Sequence, residues 1–187
     1  MRTLSGFIFS NLLGWKITGR FPDIKKSVTI VAPHTSGWDA FIGKLYLNEI
    51  GLKYYVLAKK ELFTFPLGIL MRAVRAIPID RKDRKTDYVD QIVKTINKSD
   101  EIHIVISPEG TRRKVIRWKK GFYTIAAKAN IPVVVIYLDY RKKEMGIKGV
   151  ISDFSDINSV MHQINDMYKD VTGKYPEKFS LEIMPDK

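Results

Sequence analysis

The sequence predicts a single α/β domain in which helices cover both faces of a central sheet. Short apolar segments rich in β-branched residues alternate along the chain with segments of helical periodicity, which is typical of α/β proteins. The 187 residues suit one ordinary domain, and no internal repeat or low-complexity linker divides them. We therefore expect one domain over 1–187, with a possible interfacial helix at 1–20, a core at 28–138 and a C-terminal hairpin, helix and strand at 139–187.

The first half of the core alternates between the two kinds of element. Val28–Ala32 is an apolar run that predicts a buried strand. In Trp38–Glu49 apolar residues fall among polar ones, which indicates a helix. Lys53–Ala58 has the aromatic and β-branched content of a strand. A helical stretch over Leu62–Val74 and a short strand over Ile77–Ile79 complete this half.

The second half of the core contains the clearest helix of the chain. Over Thr86–Lys98, apolar residues recur every three or four positions. Glu101–Ile106 is another apolar strand, and a helix over Phe122–Ala129 leads to a buried strand over Pro132–Leu138. This order of strands and helices is the reason for expecting a sheet with crossover connections.

The C-terminal region is predicted to hold a helix and an edge strand. Ser155 can cap a helix whose apolar residues recur at three or four positions as far as Gly173. Beyond it, Phe179, Leu181 and Ile183 alternate with polar residues, as in a strand at the edge of a sheet.

The N-terminal segment has the pattern of an amphipathic helix. On an α-helix, its apolar residues Leu4, Phe7, Ile8, Leu12 and Trp15 share one face. The longest uncharged stretch has thirteen residues, fewer than the about 20 that a spanning helix needs, so we expect neither a membrane span nor a signal peptide. Trp15, followed by basic residues, suggests a helix that lies on a membrane surface. A helix packed on its own domain fits the pattern equally well.

The composition points to an anionic partner. The chain has 32 Lys and Arg residues against 20 Asp and Glu residues, a net charge of +12. This excess favours binding to nucleic acid, acidic lipid headgroups, a phosphorylated substrate or an acidic carrier protein. The chain has no cysteine, which excludes disulfide scaffolds, zinc–thiolate sites, iron–sulfur clusters and thiol nucleophiles.

Of the three histidines, His34 has the surroundings of a functional residue. It closely follows a buried strand, and α/β domains place functional residues at the carboxyl ends of strands. His103 lies within an apolar strand and is expected to be a core residue, whereas His162 lies on the polar side of the last helix. The chain contains no P-loop, no dinucleotide-binding G-x-G-x-x-G and no G-x-S-x-G nucleophile elbow.

Asp39 lies five residues after His34 and offers the imidazole a carboxylate partner. If the helix begins near Ser36, His34 lies outside it and can fold back over the first turn towards Asp39. The carboxylate would then fix the tautomer and leave the other ring nitrogen free as a general base. The same pattern also fits a capping box, in which Ser36 and Asp39 satisfy the first turn of the helix.

A second polar turn, Ser107–Arg112 (SPEGTR), follows another buried strand. Gly110 permits a tight turn, and the guanidinium of Arg112 is a planar fork that suits phosphate or carboxylate oxygens. A third stretch, 66–81, adds further guanidinium groups, among them that of Arg72. Each stretch also fits a simple turn with solvated charges.

Together these stretches resemble the glycerolipid acyltransferase family, whose best-known members are 1-acylglycerol-3-phosphate acyltransferases. Four family motifs occur in the family's order and spacing, over about residues 28 to 138. The matches are the H-x4-D motif at His34 and Asp39; the second motif at Ala58–Leu62, Pro66, Gly68, Arg72 and Ile77–Arg81; the third at Pro108–Arg112; and the fourth at Ile131–Val133.

The resemblance implies an acyltransferase that moves a fatty acyl group from acyl-CoA or acyl carrier protein to the hydroxyl of a lysophospholipid. His34, held by Asp39, would deprotonate that hydroxyl for direct attack on the thioester, without a covalent acyl-enzyme. The thioester is a co-substrate, and no cofactor or metal is expected. The family fold is a mixed sheet flanked by helices with an N-terminal element on the membrane, so we expect a cytoplasmic protein that is peripheral on the inner face of the cell membrane. The residues that the resemblance assigns to the acceptor's glycerol phosphate are Arg72, Glu109, Gly110, Thr111 and Arg112, while Lys59 would polarise the thioester or bind phosphate.

The chain departs from the family pattern at several positions. None of these departures removes the base or its carboxylate partner. Those near the acceptor-binding motifs leave other acceptors open, such as glycerol 3-phosphate, a lyso-aminolipid or a polyketide-type head group. The departures are Pro33 for the usual Asn, Arg75 for Gly, Ser107 for Phe, Arg113 for Ser and Val135 for Pro.

Two basic clusters, 81–85 and 112–120, lie beside the motifs. Around an active-site mouth they would attract anionic lipid, CoA phosphates or an acidic carrier protein, with Trp118 at headgroup level. A basic nucleic-acid-binding module also explains the charge, but no helix-turn-helix, zinc or RNP-type pattern accompanies it, so nucleic acid is the less favoured partner. The residues expected to contact the membrane or a carrier protein are Trp15, Arg113, Lys114, Arg117, Trp118, Lys119 and Lys120.

Overall fold

Seven strands form one sheet in the computed structural model, which describes residues 3–73, 75–79 and 88–183. The strands are β1 Lys16–Thr18, β2 Lys26–Ala32, β3 Tyr54–Lys59, β4 Ala76–Ile79, β5 Ile102–Ile106, β6 Val133–Asp139 and β7 Glu144–Ile151. Their order across the sheet is β1-β7-β6-β2-β5-β3-β4.

All neighbouring strands run parallel except β6 and β7, which form an antiparallel hairpin. This confirms a mixed, mostly parallel sheet. The central strand β2 pairs with β5 on one side, where Val28 lies beside Ile104, and with β6 on the other, where Val28 lies beside Val133. Because these three strands are parallel, the segments that follow them leave the sheet at the same edge.

Helices cover both faces of the sheet, as the sequence predicts. Helix α2 (Trp38–Glu49) and the N-terminal segment pack on one face, and helices α4 (Tyr88–Lys98), α5 (Gly121–Ala129) and α6 (Ile157–Tyr168) pack on the other. No helix in the described part of the chain is both long enough and apolar enough to cross a membrane. The helices are α1 Leu4–Gly6, continued by a π-helical turn over Phe7–Leu12, α2 Trp38–Glu49, α3 Leu67–Ala73, α4 Tyr88–Lys98, α5 Gly121–Ala129 and α6 Ile157–Tyr168, with 3₁₀ helices at Lys60–Phe63 and Pro176–Lys178.

The predicted edge strand at 179–183 is wrong. These residues form no strand but pack along the loop that precedes α5. The Ile183 N–H donates to the Ile116 carbonyl at 3.0 Å, and the Asn165 amide donates to the Glu182 carbonyl at 2.9 Å. Because the loop and α6 take up these hydrogen bonds, residues 179–183 do not extend the sheet, whose outermost strands in the described part of the chain are β1 and β4.

The capping residue of α6 is Asp156, not Ser155. The Asp156 carboxylate accepts hydrogen bonds from the Asn158 and Ser159 N–H groups at 3.1 and 2.9 Å. The negative charge of a carboxylate at this position also interacts favourably with the positive end of the helix dipole. The helix ends at Tyr168, a turn earlier than predicted.

The N-terminal segment packs against its own domain through the side chains of Phe9 and Trp15. The Phe9 ring lies 6.0 Å from the ring of Trp15 and 6.2 Å from that of Tyr46 in α2, and both Phe9 and Trp15 are buried. The prediction that Trp15 contacts a membrane is therefore wrong, because the chain turns inward after the π-helical turn to begin β1. Phe7 and Leu12 are exposed and lie five positions apart, the spacing that an i→i+5 hydrogen bond of a π-helix spans.

Trp118 is likewise a core residue and not a headgroup contact. Its side chain is 3% exposed, its Nε1–H donates to the Ser180 carbonyl at 3.1 Å, and its ring packs against that of Tyr168. The C-terminal tail covers it, which is why the prediction from the basic run is wrong. Lys120 in the same run forms an ion pair with Glu182 at 2.7 Å. Five cations of the run remain exposed: Arg112, Arg113, Lys114, Arg117 and Lys119.

Arg75 stands where the family pattern usually has Gly, and its backbone conformation shows why Gly is usual there. Its φ is +54°, in the left-handed region that favours glycine, the residue usual at this position. Its guanidinium lies 6.0 Å from the centre of the Tyr54 ring. The second basic cluster, 81–85, and the predicted start of a helix at Thr86 lie outside the described residues.

The predicted core histidine is confirmed. His103 is 1% exposed, and its Nδ1 lies 2.8 Å from the Ser27 hydroxyl. His162 is exposed, as predicted. Burial lowers the pKa of His103 below its ordinary value of 6.5, although the charge of Glu101 opposes the shift.

This burial predicts sensitivity to acid. As the pH falls below 6.5, the unfolded chain binds a proton at His103 before the folded chain does, so the free energy of unfolding decreases by up to about 1.4 kcal/mol per unit of pKa shift. We expect His103→Asn, which cannot titrate, to lose less stability than the wild type between pH 7 and pH 5. Urea unfolding at a series of pH values measures this. His162→Asn is the control and should keep the wild-type slope.

Candidate active site

The structure brings His34 and Asp39 together. His34 lies in the loop after β2, and Asp39 lies in the first turn of α2. The His34 Nδ1 is 3.3 Å from the Asp39 Oδ2. The Asp39 side chain is 3% exposed and that of His34 is 29% exposed, so the carboxylate is buried behind an accessible imidazole.

The same carboxylate also completes the start of the helix. Asp39 Oδ2 accepts the N–H groups of Thr35 and Ser36 at 2.6 and 2.7 Å, and the Trp38 N–H donates to the Ser36 hydroxyl at 3.2 Å. One carboxylate thus contacts His34 and also accepts the Ser36 N–H of the capping pattern. The capping box itself is incomplete, because the N-cap residue is Gly37 and the Ser36 hydroxyl accepts the Trp38 N–H instead of the Asp39 N–H.

Asp39 stays ionised in this environment. Burial by itself raises its pKa, but hydrogen bonds from His34, Tyr140 and the Ser36 backbone together outweigh burial and hold the pKa below its ordinary value of 3.8. An ionised carboxylate against Nδ1 places the ring proton of neutral His34 on Nδ1, which leaves Nε2 with a free lone pair.

Glu109 does not face the cavity but holds the loop of His34. Its Oε1 accepts the His34 backbone N–H at 3.0 Å, its Oε2 accepts the Ser107 hydroxyl at 2.8 Å, and the residue is 4% exposed. The structure therefore does not support the expectation that Glu109 binds the acceptor. Burial raises its pKa above the ordinary value of 4.5, against the opposing effect of these hydrogen bonds.

The turn after β5 presents Thr111 and Arg112 to the same cavity. Gly110 has a φ of +67°, which permits the tight turn as predicted, and its N–H donates to the Ser107 carbonyl at 3.1 Å. The Arg112 guanidinium lies beside the start of α2, with Nη1 only 3.2 Å from where a Cβ on Gly37 would lie. A cation and the positive end of a twelve-residue helix thus lie side by side.

A cavity of about 710 Å³ lies between α2 and the sheet, and both the His34–Asp39 pair and Arg112 line it. One part of its wall is polar, with His34, Ser107, Thr111 and Arg112, and Lys44 of α2 also lines it. The remaining wall is largely apolar and comes from α2, the sheet and α3. Its apolar residues include Val31, Leu47, Tyr54, Val56, Leu57, Met71, Val105, Ile106 and Met145.

One predicted substrate contact, Arg72, is not part of this wall. Arg72 is exposed on α3, where its neighbour Met71 lines the cavity instead. Lys59 ends β3, and its side chain lies outside the described part of the chain. Within residues 3–73, 75–79 and 88–183, no group of three or more His, Asp and Glu side chains could hold a metal ion.

Sequence reasoning missed three contributions to the site. Lys44 lies one helical turn after Ala40, which also lines the cavity, so helical periodicity could have found it. The Tyr140 hydroxyl donates to Asp39 Oδ1 at 2.7 Å, and the Tyr175 N–H donates to the Thr35 hydroxyl at 3.2 Å. These last two contacts join residues 101 and 140 positions apart, which no local pattern reveals.

Comparison with known proteins agrees with the family that the motifs indicate. The family model described as Acyltransferase matches residues 16–139, which include His34, Asp39, the turn after β5 and the whole cavity wall except Met145. The chain belongs to the Acyltransferase family.

Plant relatives in this family carry a more specific name. The chain is 30% identical over 138 residues to the chloroplastic 1-acyl-sn-glycerol-3-phosphate acyltransferase of Brassica napus, which covers 70% of the chain and 39% of the relative. It is 31% identical over 147 residues to the 1-acyl-sn-glycerol-3-phosphate acyltransferase of Limnanthes douglasii, which covers 72% and 50%. The chain therefore spans half or less of the length of these acyltransferases.

The position of Glu109 predicts a pH-dependent effect of its neutral replacement. Because its pKa is raised, the folded chain holds the Glu109 proton more tightly than the unfolded chain, and stability decreases as the pH rises above 4.5 towards the raised value. Glu109→Gln keeps an acceptor for the His34 N–H and removes this titration. We expect the variant to gain stability relative to wild type over that interval, measured by urea unfolding. Glu177→Gln, at an exposed site, should show no such trend.

Proposed function

We propose that this chain transfers a fatty acyl group from an acyl thioester to the hydroxyl of a lysophospholipid such as 1-acylglycerol-3-phosphate. The observation that carries the proposal is the His34–Asp39 pair at the wall of a cavity with Arg112 in its polar part and apolar residues over the rest. Membership of the Acyltransferase family and the names of the plant relatives support the same acceptor.

In the proposed reaction His34 acts as a general base. Its Nε2 takes the proton of the acceptor hydroxyl while the oxygen attacks the thioester carbonyl carbon, and Asp39 stabilises the imidazolium that forms. The tetrahedral intermediate then collapses with cleavage of the carbon–sulfur bond. The thiolate leaves with the proton from His34, so the products are an ester and a thiol and no acyl-enzyme forms.

Arg112 is suited to the acceptor's phosphate. Its guanidinium lies beside Gly37 at the start of α2, so a phosphate there would meet a bidentate donor and the helix dipole together. Lys44 lines the cavity from the same helix and supplies a further positive charge. We infer that these two cations favour acceptors with a phosphate over uncharged lipids.

The apolar wall is suited to an acyl chain. Leu47, Val56 and Met145 line the cavity, and its volume falls within the range of about 300 to 1,000 Å³ that ligand pockets occupy. Each methylene buried there contributes about 0.8 kcal/mol to binding. The thioester donor is acyl-CoA or acyl carrier protein, both of which carry the negative charge that the basic run 112–120 attracts.

The proposed enzyme works as a peripheral protein on an anionic membrane. The outer face of the N-terminal segment exposes Leu4, Phe7 and Leu12, which are 77%, 56% and 72% exposed. Phe65 and Ile69 are 86% and 62% exposed on the segment that includes α3, beside the cavity-lining Met71. Exposed apolar side chains combined with a charge of +12 are typical of proteins that bind acidic lipid surfaces.

Replacing the base tests the reaction directly. We expect His34→Ala to lower kcat by about 10² to 10⁴, the usual contribution of a general base, without loss of folding. The assay is transfer of radiolabelled acyl groups to a panel of lysophospholipids, glycerol 3-phosphate and lyso-aminolipids, with acyl-CoA and acyl carrier protein as donors. His162→Ala, at an exposed position on α6, should keep wild-type activity. Equal activity of the two variants would contradict the proposed role of His34.

Membrane binding has its own test. Burial of Phe and Leu side chains contributes about 1.5 to 3 kcal/mol each, so Phe7→Ser with Leu12→Ser should weaken binding to phosphatidylglycerol-containing vesicles at least tenfold in a sedimentation assay. Val150→Ser, which removes an exposed apolar side chain from β7, is the matched control. If both proteins sediment like the wild type, the N-terminal face is not the membrane contact.

A further inference from the structure

Asp39 has a second oxygen that the His34 pairing does not use. Its Oδ2 lies within 3.3 Å of three nitrogen atoms, those of the Thr35 and Ser36 N–H groups and His34 Nδ1. Its Oδ1 accepts the Tyr140 hydroxyl at 2.7 Å. A buried carboxylate oxygen without a donor is costly, so this hydrogen bond both compensates burial and fixes the rotation of the carboxylate about its χ2 axis.

Tyr140 is itself held from three directions. It directly follows β6, whose Tyr137 pairs with Ala32 at the end of β2. Its backbone N–H donates to the Thr172 carbonyl at 2.8 Å, and its ring meets that of Trp15 edge-on, with 5.0 Å between centroids and 88° between planes. The phenol oxygen therefore lies on a rigid support built from the sheet, the C-terminal segment and the N-terminal segment.

The hydroxyl remains a donor at working pH. Burial, together with the hydrogen bond to Asp39 and the negative charge of that residue, raises the pKa of Tyr140 above its ordinary value of 10.0. The other titratable groups that face this pair are His34, Glu109 on the loop after β5 and Tyr175 on the C-terminal segment.

We propose that Tyr140 is a positioning residue of the active site, which holds the Asp39 carboxylate so that Oδ2 faces His34 Nδ1 and the imidazole presents Nε2 to the cavity. This inference rests on the proposed function of His34 as the base. Tyr140 does not line the cavity, so it acts through Asp39 and not on the substrate. Trp15, which the sequence pattern assigned to the membrane, instead packs against the Tyr140 ring and helps to hold it in place.

The kinetic test removes only the hydroxyl. Hydrogen bonds to charged groups have net effects that correspond to roughly tenfold or more, so Tyr140→Phe should lower kcat about tenfold and leave KM unchanged. The acid limb of the kcat–pH profile follows protonation of the His34–Asp39 pair and should move to higher pH, because the Asp39 carboxylate loses a donor that stabilises its ionised form. Tyr123→Phe removes a comparable hydroxyl, bonded to the Phe154 carbonyl at 2.6 Å, and should leave both kcat and the pH profile unchanged.

A spectroscopic test separates positioning from general destabilisation. The chain has three histidines, so ¹⁵N resonances of the His34 ring can be assigned with His34→Ala as reference. Wild type should show the tautomer with the proton on Nδ1, and Tyr140→Phe should reduce its population. In an Asp39→Asn background, Tyr140→Phe should cause no further change.

The outcomes distinguish this inference from the proposed function. If Tyr140→Phe lowers kcat but keeps the wild-type tautomer and pH profile, or if it leaves all three unchanged, the positioning role is overturned. If the wild type transfers no acyl group to any acceptor, the proposed function fails, while the tautomer shift still decides whether Tyr140 orients the pair.

Discussion

The buried carboxylate of Asp39 is the group on which the geometry of the site depends. Two backbone N–H groups, an imidazole and a phenol converge on its two oxygens. A buried charge is tolerated only when its hydrogen-bonding capacity is used in this way. Because this carboxylate in the first turn of α2 also holds the backbone of Thr35 and Ser36 before the helix, the loop of His34 and the start of α2 are fixed relative to each other.

A second buried carboxylate, that of Glu109, holds a different part of His34. Asp39 orients the ring of His34, whereas Glu109 holds its backbone N–H. The pKa of Asp39 is lowered and that of Glu109 is raised, because hydrogen bonds outweigh burial at the first residue and burial prevails at the second. The histidine is thus fixed at two points, its ring from helix α2 and its backbone from the turn after β5. Arg112, on the same turn as Glu109, lines the cavity.

Two tryptophans show where the prediction from the sequence pattern differs from the structure. Trp15 and Trp118 stand next to basic residues, which suggested a membrane surface, yet both are buried. Side-chain periodicity identifies an apolar face but does not say whether another segment covers it. Here the Tyr140 ring packs against Trp15 and the C-terminal tail covers Trp118, whereas Phe7 and Leu12 have stayed exposed.

The sequence by itself determined the α/β class and most of the strands and helices. These features follow from periodicity and turn residues, which local chemistry controls. The local pattern allowed His34 and Asp39 to pair but fitted a capping box as well, and the resemblance to a known family favoured the pair. Only the tertiary structure decided that the C-terminal tail covers Trp118, that Glu109 binds the His34 backbone N–H, and that Tyr140 donates a hydrogen bond to Asp39. Those depend on contacts between segments up to about a hundred residues apart, where the order of strands in the sheet, not the local pattern, sets which side chains meet.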